Sequence, residues 1–197
     1  MKNKCMNKIL MDNIIYLINQ KGSFNYEVKE KLIINIFNEK DKNIDINIIQ
    51  NNNSLLIINY TSINYEDCQI NINIKIKGNN NKCIINFRGI ACENVNNVNV
   101  CVNTNNNTQG NEIAQNLKGL CEDGSIIINP ILEINTNEVS ASHFVTIGPL
   151  NQNMILYLKS KGISKENVTR LLKKSFMYNI FDDDFISLLN DKEENNE

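Results

Sequence analysis

The sequence lacks tryptophan and has two prolines, eight glycines and a single histidine in 197 residues. It also lacks any run of about 18 apolar residues, the length that a membrane-spanning helix needs, so we expect no membrane span. The formal net charge of −2 gives no basic footprint for nucleic acid or an anionic membrane surface. A hydrophobic share of 42% excludes wholesale disorder. These absences leave one folded domain of ordinary size, with at most a small appendage.

The amino-terminal segment has no secretory pattern. Early lysines precede an apolar stretch, but Asp12 and Asn13 interrupt it and no small-residue cleavage site follows. Apolar residues at spacings of three and four predict a helix over residues 1–22, with Gly22 at its end. We therefore expect a soluble, cytoplasmic protein.

Cysteines are present, but in no metal-binding pattern. No pair forms C-x-x-C and there is one histidine, so zinc-finger spacing is absent. Nothing indicates a disulfide scaffold. The interpretation for all six is a buried free thiol that packs as a small hydrophobic group. They are Cys5, Cys68, Cys83, Cys92, Cys101 and Cys121.

The most unusual feature of the composition is its asparagine content, which is about a fifth of the residues. An Asn-rich chain can be prion-like. An AT-rich genome explains the joint excess of Asn, Ile and Lys more simply, because Asn alternates here with Ile in a strand pattern. Individual asparagines are therefore poor indicators of function.

Residues 23–150 predict an all-β core. Apolar and polar residues alternate strictly over Ile44–Ile48 and Ile70–Ile76, and Asn-rich clusters separate these runs from other short β-branched runs. A sandwich, a barrel and a β-solenoid all fit many short strands with almost no helix between them. Stacked Ile inside with Asn or Lys outside favours a solenoid, with a sandwich as the main alternative.

Residues 151–190 predict helices. One begins at Asn151 and ends at Gly162, and a second begins at Ser164 with a capping box in which Asn167 replaces the usual Glu. Residues 191–197 form an acidic tail that we expect to be frayed.

The carboxy-terminal half carries a specific series of motifs. Phe-Arg-Gly lies in residues 83–90, and Leu-Lys-Gly-Leu-Cys-Glu-Asp-Gly-Ser spans 117–125. Pro-Ile-Leu-Glu-Ile spans 130–134 and Val-Ser-Ala-Ser-His-Phe-Val-Thr-Ile-Gly spans 139–148. Leu-Tyr-Leu-Lys-Ser-Lys-Gly-Ile-Ser follows at 156–164. In this order and spacing the chain resembles the SufB/SufD family of iron–sulfur cluster assembly proteins.

The resemblance implies a right-handed parallel β-helix closed by carboxy-terminal helices. It also implies a scaffold for a transient iron–sulfur cluster, assembled as a homodimer or with a SufB-like companion. A SufC-type ABC ATPase would bind the segment 151–190. The chain has no Walker loop, so it is not expected to be an enzyme, and ATP hydrolysis would come from that partner. Iron donors, sulfur donors and apo-protein clients are further implied partners.

Three departures from the family pattern lie in or near the motifs. Gly124 stands where SufB has a cysteine, which brings the chain closer to SufD or to short single-subunit homologues. Phe144 replaces the usual Gly after His143, and Pro149 follows Gly148. We also expect a solenoid of five or six rungs and an amino-terminal region that are both shorter than in typical members.

His143 is the first candidate iron ligand, because it matches the family's histidine and neutral imidazole binds iron well. Cys121 lies three residues from the matching cysteine position, but core packing is the simpler interpretation for it. Glu133 and Glu138 are possible carboxylate ligands, with solvated surface residues as the simpler interpretation.

The resemblance places the ATPase contact on the carboxy-terminal helices. The alternative is that the same residues form only an ordinary exposed helix surface and the end of a helix. The candidate residues are Tyr157, Lys159, Lys161, Gly162, Leu171 and Leu172. Arg88 of the Phe-Arg-Gly motif is interpreted as capping a rung of the solenoid.

Two functions follow from the resemblance. The first is a cluster-assembly scaffold, and the alternative is a non-catalytic, SufD-like subunit that stabilises or recruits the complex without holding a cluster. A polysaccharide-acting β-helix is disfavoured, because the strands carry no convincing basic cluster.

Overall fold

A computed structural model of the protein describes residues 8–10, 13–39 and 43–194. This part of the chain forms twelve strands followed by three helices. The strands are β1 (Lys8–Leu10), β2 (Ile14–Ile18), β3 (Gly22–Val28), β4 (Lys31–Glu39), β5 (Ile44–Gln50), β6 (Leu55–Asn64), β7 (Cys68–Ile76), β8 (Lys82–Ala91), β9 (Val95–Thr104), β10 (Gln109–Cys121), β11 (Ser125–Glu133) and β12 (Glu138–Gly148). The helices are α1 (Gln152–Ser160), α2 (Lys165–Tyr178) and α3 (Asp183–Glu194).

From β2 onward, successive strands alternate between two sheets. Sheet A has the order β1-β2-β4-β6-β8-β10-β12, and sheet B has the order β11-β9-β7-β5-β3. Among the described strands, β1 and β2 pair antiparallel and every other pair is parallel. Parallel neighbours two strands apart in the chain define a β-solenoid, so that prediction is confirmed and the sandwich is excluded.

The interior of the solenoid is built from aliphatic columns. Ile46, Ile72 and Val100 are in register on β5, β7 and β9, and each is fully buried. Their strand neighbours point outward, because side chains alternate between the two faces of a strand. The alternation of Ile and Asn in the sequence therefore separates the core from the surface, as predicted.

Asparagine also has a structural use on the outer face of sheet A. The side-chain amide of Asn59 donates to Oδ1 of Asn35 at 2.8 Å, and Asn86 donates to Asn59 at 2.8 Å. Asn116 extends this ladder by donating to Asn86 at 3.2 Å. Side-chain hydrogen bonds thus run across four adjacent strands, parallel to the backbone ladder.

Asparagine also occupies positions with left-handed backbone geometry. Asn53, Asn80 and Asn107 have φ of +54°, +55° and +63° in turns between strands. A short polar side chain tolerates this conformation better than most, because it can bond locally to the backbone. The Asn-rich clusters therefore mark turns, as the sequence predicted.

The helix predicted over residues 1–22 is wrong for the described residues. Lys8–Leu10 and Ile14–Ile18 are strands, and Gly22 begins a third. Leu17 faces the interior while Tyr16 is buried against the carboxy-terminal helices. Because both faces of β2 are covered, the run is apolar throughout, and such a run does not distinguish a strand from a helix. Residues 1–7 and 11–12 lie outside the described residues.

The helix boundaries follow the capping residues. The side chain of Asn151 accepts from the backbone N–H groups of Asn153 and Met154, and Gly162 after α1 has a φ of +86°. Ser164 accepts from the N–H of Asn167, as the weakened capping box predicted. The tail expected to be frayed is helical over residues 191–194, where α3 continues, while 195–197 lie outside the described residues.

The helices α2 and α3 pack on the outer face of sheet A. Phe185 of α3 stacks on Tyr16 with ring centroids 4.9 Å apart, and Tyr178 of α2 meets Phe37 edge-on at 5.8 Å. These four side chains, with Leu189, form an aromatic cluster separate from the solenoid interior. Within the described residues, no helix is long and apolar enough to cross a membrane.

No cysteine of the described residues is in a disulfide, but their burial varies. Cys68 and Cys83 are buried as predicted, whereas Cys92, Cys101 and Cys121 are partly exposed. Cys5 lies outside the described residues. Burial raises the pKa of the Cys83 thiol to about 12, so this side chain acts as a small apolar group.

Candidate functional site

The strand β12 is the last strand of the solenoid and carries His143. It pairs with β10 on one side, and in the described part of the chain no strand pairs with its other edge. Sheet B ends at β11, one strand short of the parallel strands of sheet A. The last strand of sheet A therefore forms an open end of the solenoid.

His143 lies on the interior face of this last strand and is nevertheless exposed. Ala141 and Val145, two residues to either side, pack against the solenoid core. Strand alternation gives His143 the same face. Its imidazole is exposed because no further turn of the solenoid, within the described ranges of the chain, covers it. An exposed imidazole on an otherwise apolar face can act as a ligand or move a proton.

The residue in register with His143 on β10 is Gln115, which the sequence analysis did not single out. Gln115 is fully buried, between Ile113 and Leu117 on the interior face. Its side-chain N–H groups donate to the carbonyl oxygens of Val100 and Ile131, both at 3.3 Å. A signal was available, because Gln115 is a polar residue at an inward position of an alternating strand.

The other predicted iron ligands lie apart from His143. Cys121 ends β10, six residues or about 20 Å of strand beyond the register position of His143. Glu138 is the first residue of β12, five positions before His143. Because side chains alternate between the two faces of a strand, Glu138 points to the face opposite to that of His143. Glu133 is on the outer face of sheet B, where its carboxylate accepts from the amide of Asn103.

In the part of the chain that the structure describes, no three side chains of His, Cys, Asp or Glu lie close enough together to hold a metal ion. The four candidate ligands named from the sequence are therefore not assembled within one protomer. Of the four, His143 is the one on the interior face of the last strand.

Gly124, at the position matched to the SufB cysteine, is fixed by packing. A Cβ added here would lie 2.7 Å from the carbonyl oxygen of Asn94 and 2.8 Å from its nitrogen. Contacts this short with backbone atoms require the backbone to shift. The neighbouring turn therefore needs glycine.

Phe144 and Pro149 alter the surroundings of His143 in different ways. Phe144 points outward, is 56% exposed, and has the Nζ of Lys118 5.8 Å from its ring centroid. It is in register with Asn116 on the adjacent strand β10, where another asparagine would continue the ladder, and so the asparagine ladder ends here. Pro149 follows the last residue of β12 and precedes the cap of α1.

The predicted ATPase-contact residues are mostly exposed on α1 and α2. Tyr157 is 57% exposed, with the Nζ of Lys161 5.5 Å from its ring centroid, and Lys159 and Gly162 are also exposed. Leu171 is 47% exposed, whereas Leu172 is half-buried. Their surroundings thus fit a contact surface or an ordinary helix face.

Arg88 joins the solenoid to the end of α2, a stronger role than capping a rung. Its Nη1 donates to the carbonyl oxygens of Phe87 at 2.8 Å and Asn116 at 3.2 Å, and its Nε donates to Asn179 at 3.2 Å. The guanidinium also lies 6.0 Å from the ring centroid of Phe176. Burial lowers the pKa of Arg88, which is 7% exposed.

A second attachment of α2 lies at a solenoid corner. Glu122 accepts from Lys173 of α2 and from the thiol of Cys92 at 3.5 Å. Burial, and then the negative charge of Glu122, raise the pKa of Cys92 to about 11. This thiol is therefore a poor nucleophile near neutral pH.

Together these features define a parallel β-solenoid protein with a histidine presented at its open end and a helical segment folded along one sheet. The sequence matches the family model described as the SUF system FeS cluster assembly, SufBD core domain, over residues 44–176. The match covers about two thirds of the chain, from the start of β5 into α2. The chain belongs to this family.

Membership assigns the chain to iron–sulfur cluster assembly by the SUF system, and members of this family are in general non-enzymatic assembly components. No curated protein sequence matches the chain.

Proposed function

We propose that the chain is a scaffold component on which an iron–sulfur cluster is assembled, with His143 as a ligand to the nascent cluster. The observation that carries this proposal is the exposed imidazole on the interior face of the last strand. Neutral imidazole suits iron. The cluster is cargo, which the chain holds in transit to an apo-protein.

The remaining ligands come from a second chain. Three suitable side chains are not grouped in the described residues of one protomer. One edge of β12 is paired with no described strand, and its backbone donors and acceptors can pair with another strand. Phe144 and Ile147 beside it are 56% and 43% exposed. A second copy or a SufB-like companion that pairs here would bring its own ligands next to His143.

The ATPase partner binds the carboxy-terminal helices. Exposed apolar side chains on α1 support this assignment, with Leu156 at 64%, Tyr157 at 57% and Met154 at 46% exposure. Lys159 and Lys161 lie beside them and give the surface positive charge. A SufC-type ATPase would use this surface, together with Leu171.

The attachments of α2 provide a route from the ATPase to the site. Arg88 bonds to Asn179 after α2 and to the carbonyl oxygen of Asn116 on β10. Asn116 adjoins Gln115, whose register partner is His143. ATP-driven movement of α2 would therefore act on the strand next to the site, and so open it to iron and sulfide.

The alternative is a SufD-like subunit that supports the complex without holding a cluster. The position of Cys121, about 20 Å of strand from the register position of His143, favours it. So does Gly124, where the packing excludes a side chain. In this alternative His143 is not needed for function, whereas the ATPase-binding surface of the carboxy-terminal helices is needed.

The deciding experiment is anaerobic co-expression with the host's SufC-type ATPase, followed by reconstitution with iron and sulfide. Mössbauer and ultraviolet–visible spectra of the purified complex measure the cluster. The scaffold proposal expects His143→Ala to lose most of the cluster while complex formation is retained. Ser142→Ala, on the opposite face of the same strand, is the matched control. A cluster-free wild-type complex would instead establish the support role.

A separate substitution tests the ATPase surface. Leu171→Glu places a charge on an exposed apolar position, so we expect it to abolish co-purification of the ATPase and leave the fold intact. Asn167→Glu is the matched control, because it completes the capping box at an exposed position of the same helix. Retained binding in Leu171→Glu would contradict this assignment.

A further inference from the structure

We propose that Gln115 is a positioning residue for His143, which holds the imidazole in one tautomer by accepting a hydrogen bond from a ring N–H. The inference rests on the proposed function, in which the other ring nitrogen binds iron. A residue of this kind does not touch the cargo and acts through the ligand.

The first support is the fixed orientation of the Gln115 amide. Its Nε2 donates to carbonyl oxygens on two adjacent strands of sheet B, Val100 on β9 and Ile131 on β11. Both donors of the amide are thus committed to backbone acceptors. The carbonyl oxygen Oε1 cannot exchange places with the nitrogen without losing both bonds.

The second support is that Oε1 of Gln115 is buried and has no hydrogen-bond partner among the residues that the structure describes. Leaving a buried acceptor unpaired costs about 1–3 kcal/mol. The position is fully buried, so bulk water does not supply the missing donor. An N–H group from a neighbouring side chain would remove this cost.

The third support is register. His143 is paired with Gln115 across β10 and β12, and side chains in register on adjacent strands lie about 5 Å apart. The flanking interior residues of β12 are Ala141 and Val145, which have no side-chain donor. The imidazole of His143 is therefore the side-chain donor that the interior face of β12 offers to Oε1.

The chemical consequence concerns the choice of ring nitrogen. A neutral imidazole carries one proton, and an acceptor beside one nitrogen keeps the proton there. The lone pair is then on the other nitrogen. Metal-binding histidines usually have such a partner, which fixes the tautomer and the ring orientation.

The chain contains a matched control for this interaction. Gln50 is also fully buried, its Nε2 donates to the carbonyl oxygens of Ser54 and Lys82 at 3.0 Å each, and its Oε1 is likewise unpartnered. It lies on β5 and has no histidine in register. Gln50→Met and Gln115→Met therefore make the same chemical change with the same kind of packing cost.

The test is a long-range ¹H–¹⁵N correlation spectrum of the full-length ¹⁵N-labelled protein, at a pH where the ring is neutral. His143 is the single histidine of the chain, so its ring signals are unambiguous. We expect one dominant tautomer in the wild type and in Gln50→Met. In Gln115→Met we expect the tautomer ratio to fall at least threefold, toward that of the urea-unfolded chain.

Two outcomes would overturn the proposal. One is a wild-type tautomer ratio equal to that of the unfolded chain, which needs no variant to fold. The other is an unchanged ratio in Gln115→Met. Circular dichroism and thermal melting of both variants report any loss of fold separately.

The spectrum requires no iron, so this inference and the proposed function fail independently. Reconstituted complexes give the second readout, in which we expect Gln115→Met to lower iron retention about tenfold relative to Gln50→Met. A shifted tautomer with unchanged iron retention would keep the positioning role and count against His143 as a ligand. Lost retention with an unchanged tautomer would overturn the positioning role alone.

Discussion

The aromatic cluster between α3 and sheet A should be a separate unit of stability. Phe185 is fully buried there, stacks on Tyr16 at 4.9 Å and meets Phe181 edge-on at 4.8 Å. Replacing a buried Phe with Ala costs about 3–5 kcal/mol, which includes the cavity and the lost ring contacts. We therefore expect Phe185→Ala to lower the free energy of unfolding by an amount close to the whole stability of the less stable natural domains.

The loss should be confined to the carboxy-terminal end. The cluster around Phe185 is not continuous with the aliphatic interior of the solenoid, which keeps all its contacts in this variant. Removing the ring therefore weakens the docking of α3 more than the pairing of the strands. Hydrogen–deuterium exchange followed by mass spectrometry measures both regions in one experiment.

We expect amide protection to fall over Asp183–Glu194 by a factor of at least one hundred, while β4 to β10 stay protected. Phe144→Ala is the matched control, because the same change at a side chain 56% exposed should alter stability by no more than about 0.5 kcal/mol. Equal loss of protection in the strands and in α3 would refute the reasoning. So would unchanged protection in α3.

Two further predictions concern the solenoid corner. Because the pKa of Cys92 is raised to about 11 by burial and by Glu122, we expect its alkylation by iodoacetamide to rise about tenfold per pH unit from pH 7 to 9, with no plateau. Glu122→Gln should accelerate the reaction, and an unchanged rate by peptide mass spectrometry would contradict the assignment. Gly124→Ala should cost about 1–3 kcal/mol in urea unfolding, because its Cβ meets the backbone of Asn94. Gly148→Ala, with nothing within 4 Å of the added Cβ, is the control, and equal stability of the two variants would show that the corner relaxes freely.

Much of the fold could be predicted because its pattern is local. Strict alternation over Ile70–Ile76 gives a strand with one buried face, and the structure has that strand in β7. Ser164 and Gly162 set helix boundaries through backbone geometry that neighbouring residues decide. The strand β2 was missed, because helices far along the chain cover its second face and remove the alternation.

The candidate site was predictable only in part. His143 could be named from its motif, since the surrounding residues resemble a family pattern. The partners of Gln115 and Glu122 could not be named, because they lie 28 and 51 residues away and are set by strand register and helix docking. Cys121 and Glu138 were named only as candidate ligands, with core packing and a solvated surface position as the simpler interpretations, and their strands place both apart from His143.

The sequence by itself determined the period of the strands, the turns, the helix caps and the family. Each depends on the conformational preferences of a few adjacent residues or on a motif read in order. Tertiary structure alone decided that the solenoid ends at β12, which leaves His143 exposed on an interior face and next to Gln115. Register and coverage depend on which strands and helices meet, and that is a property of the whole folded chain.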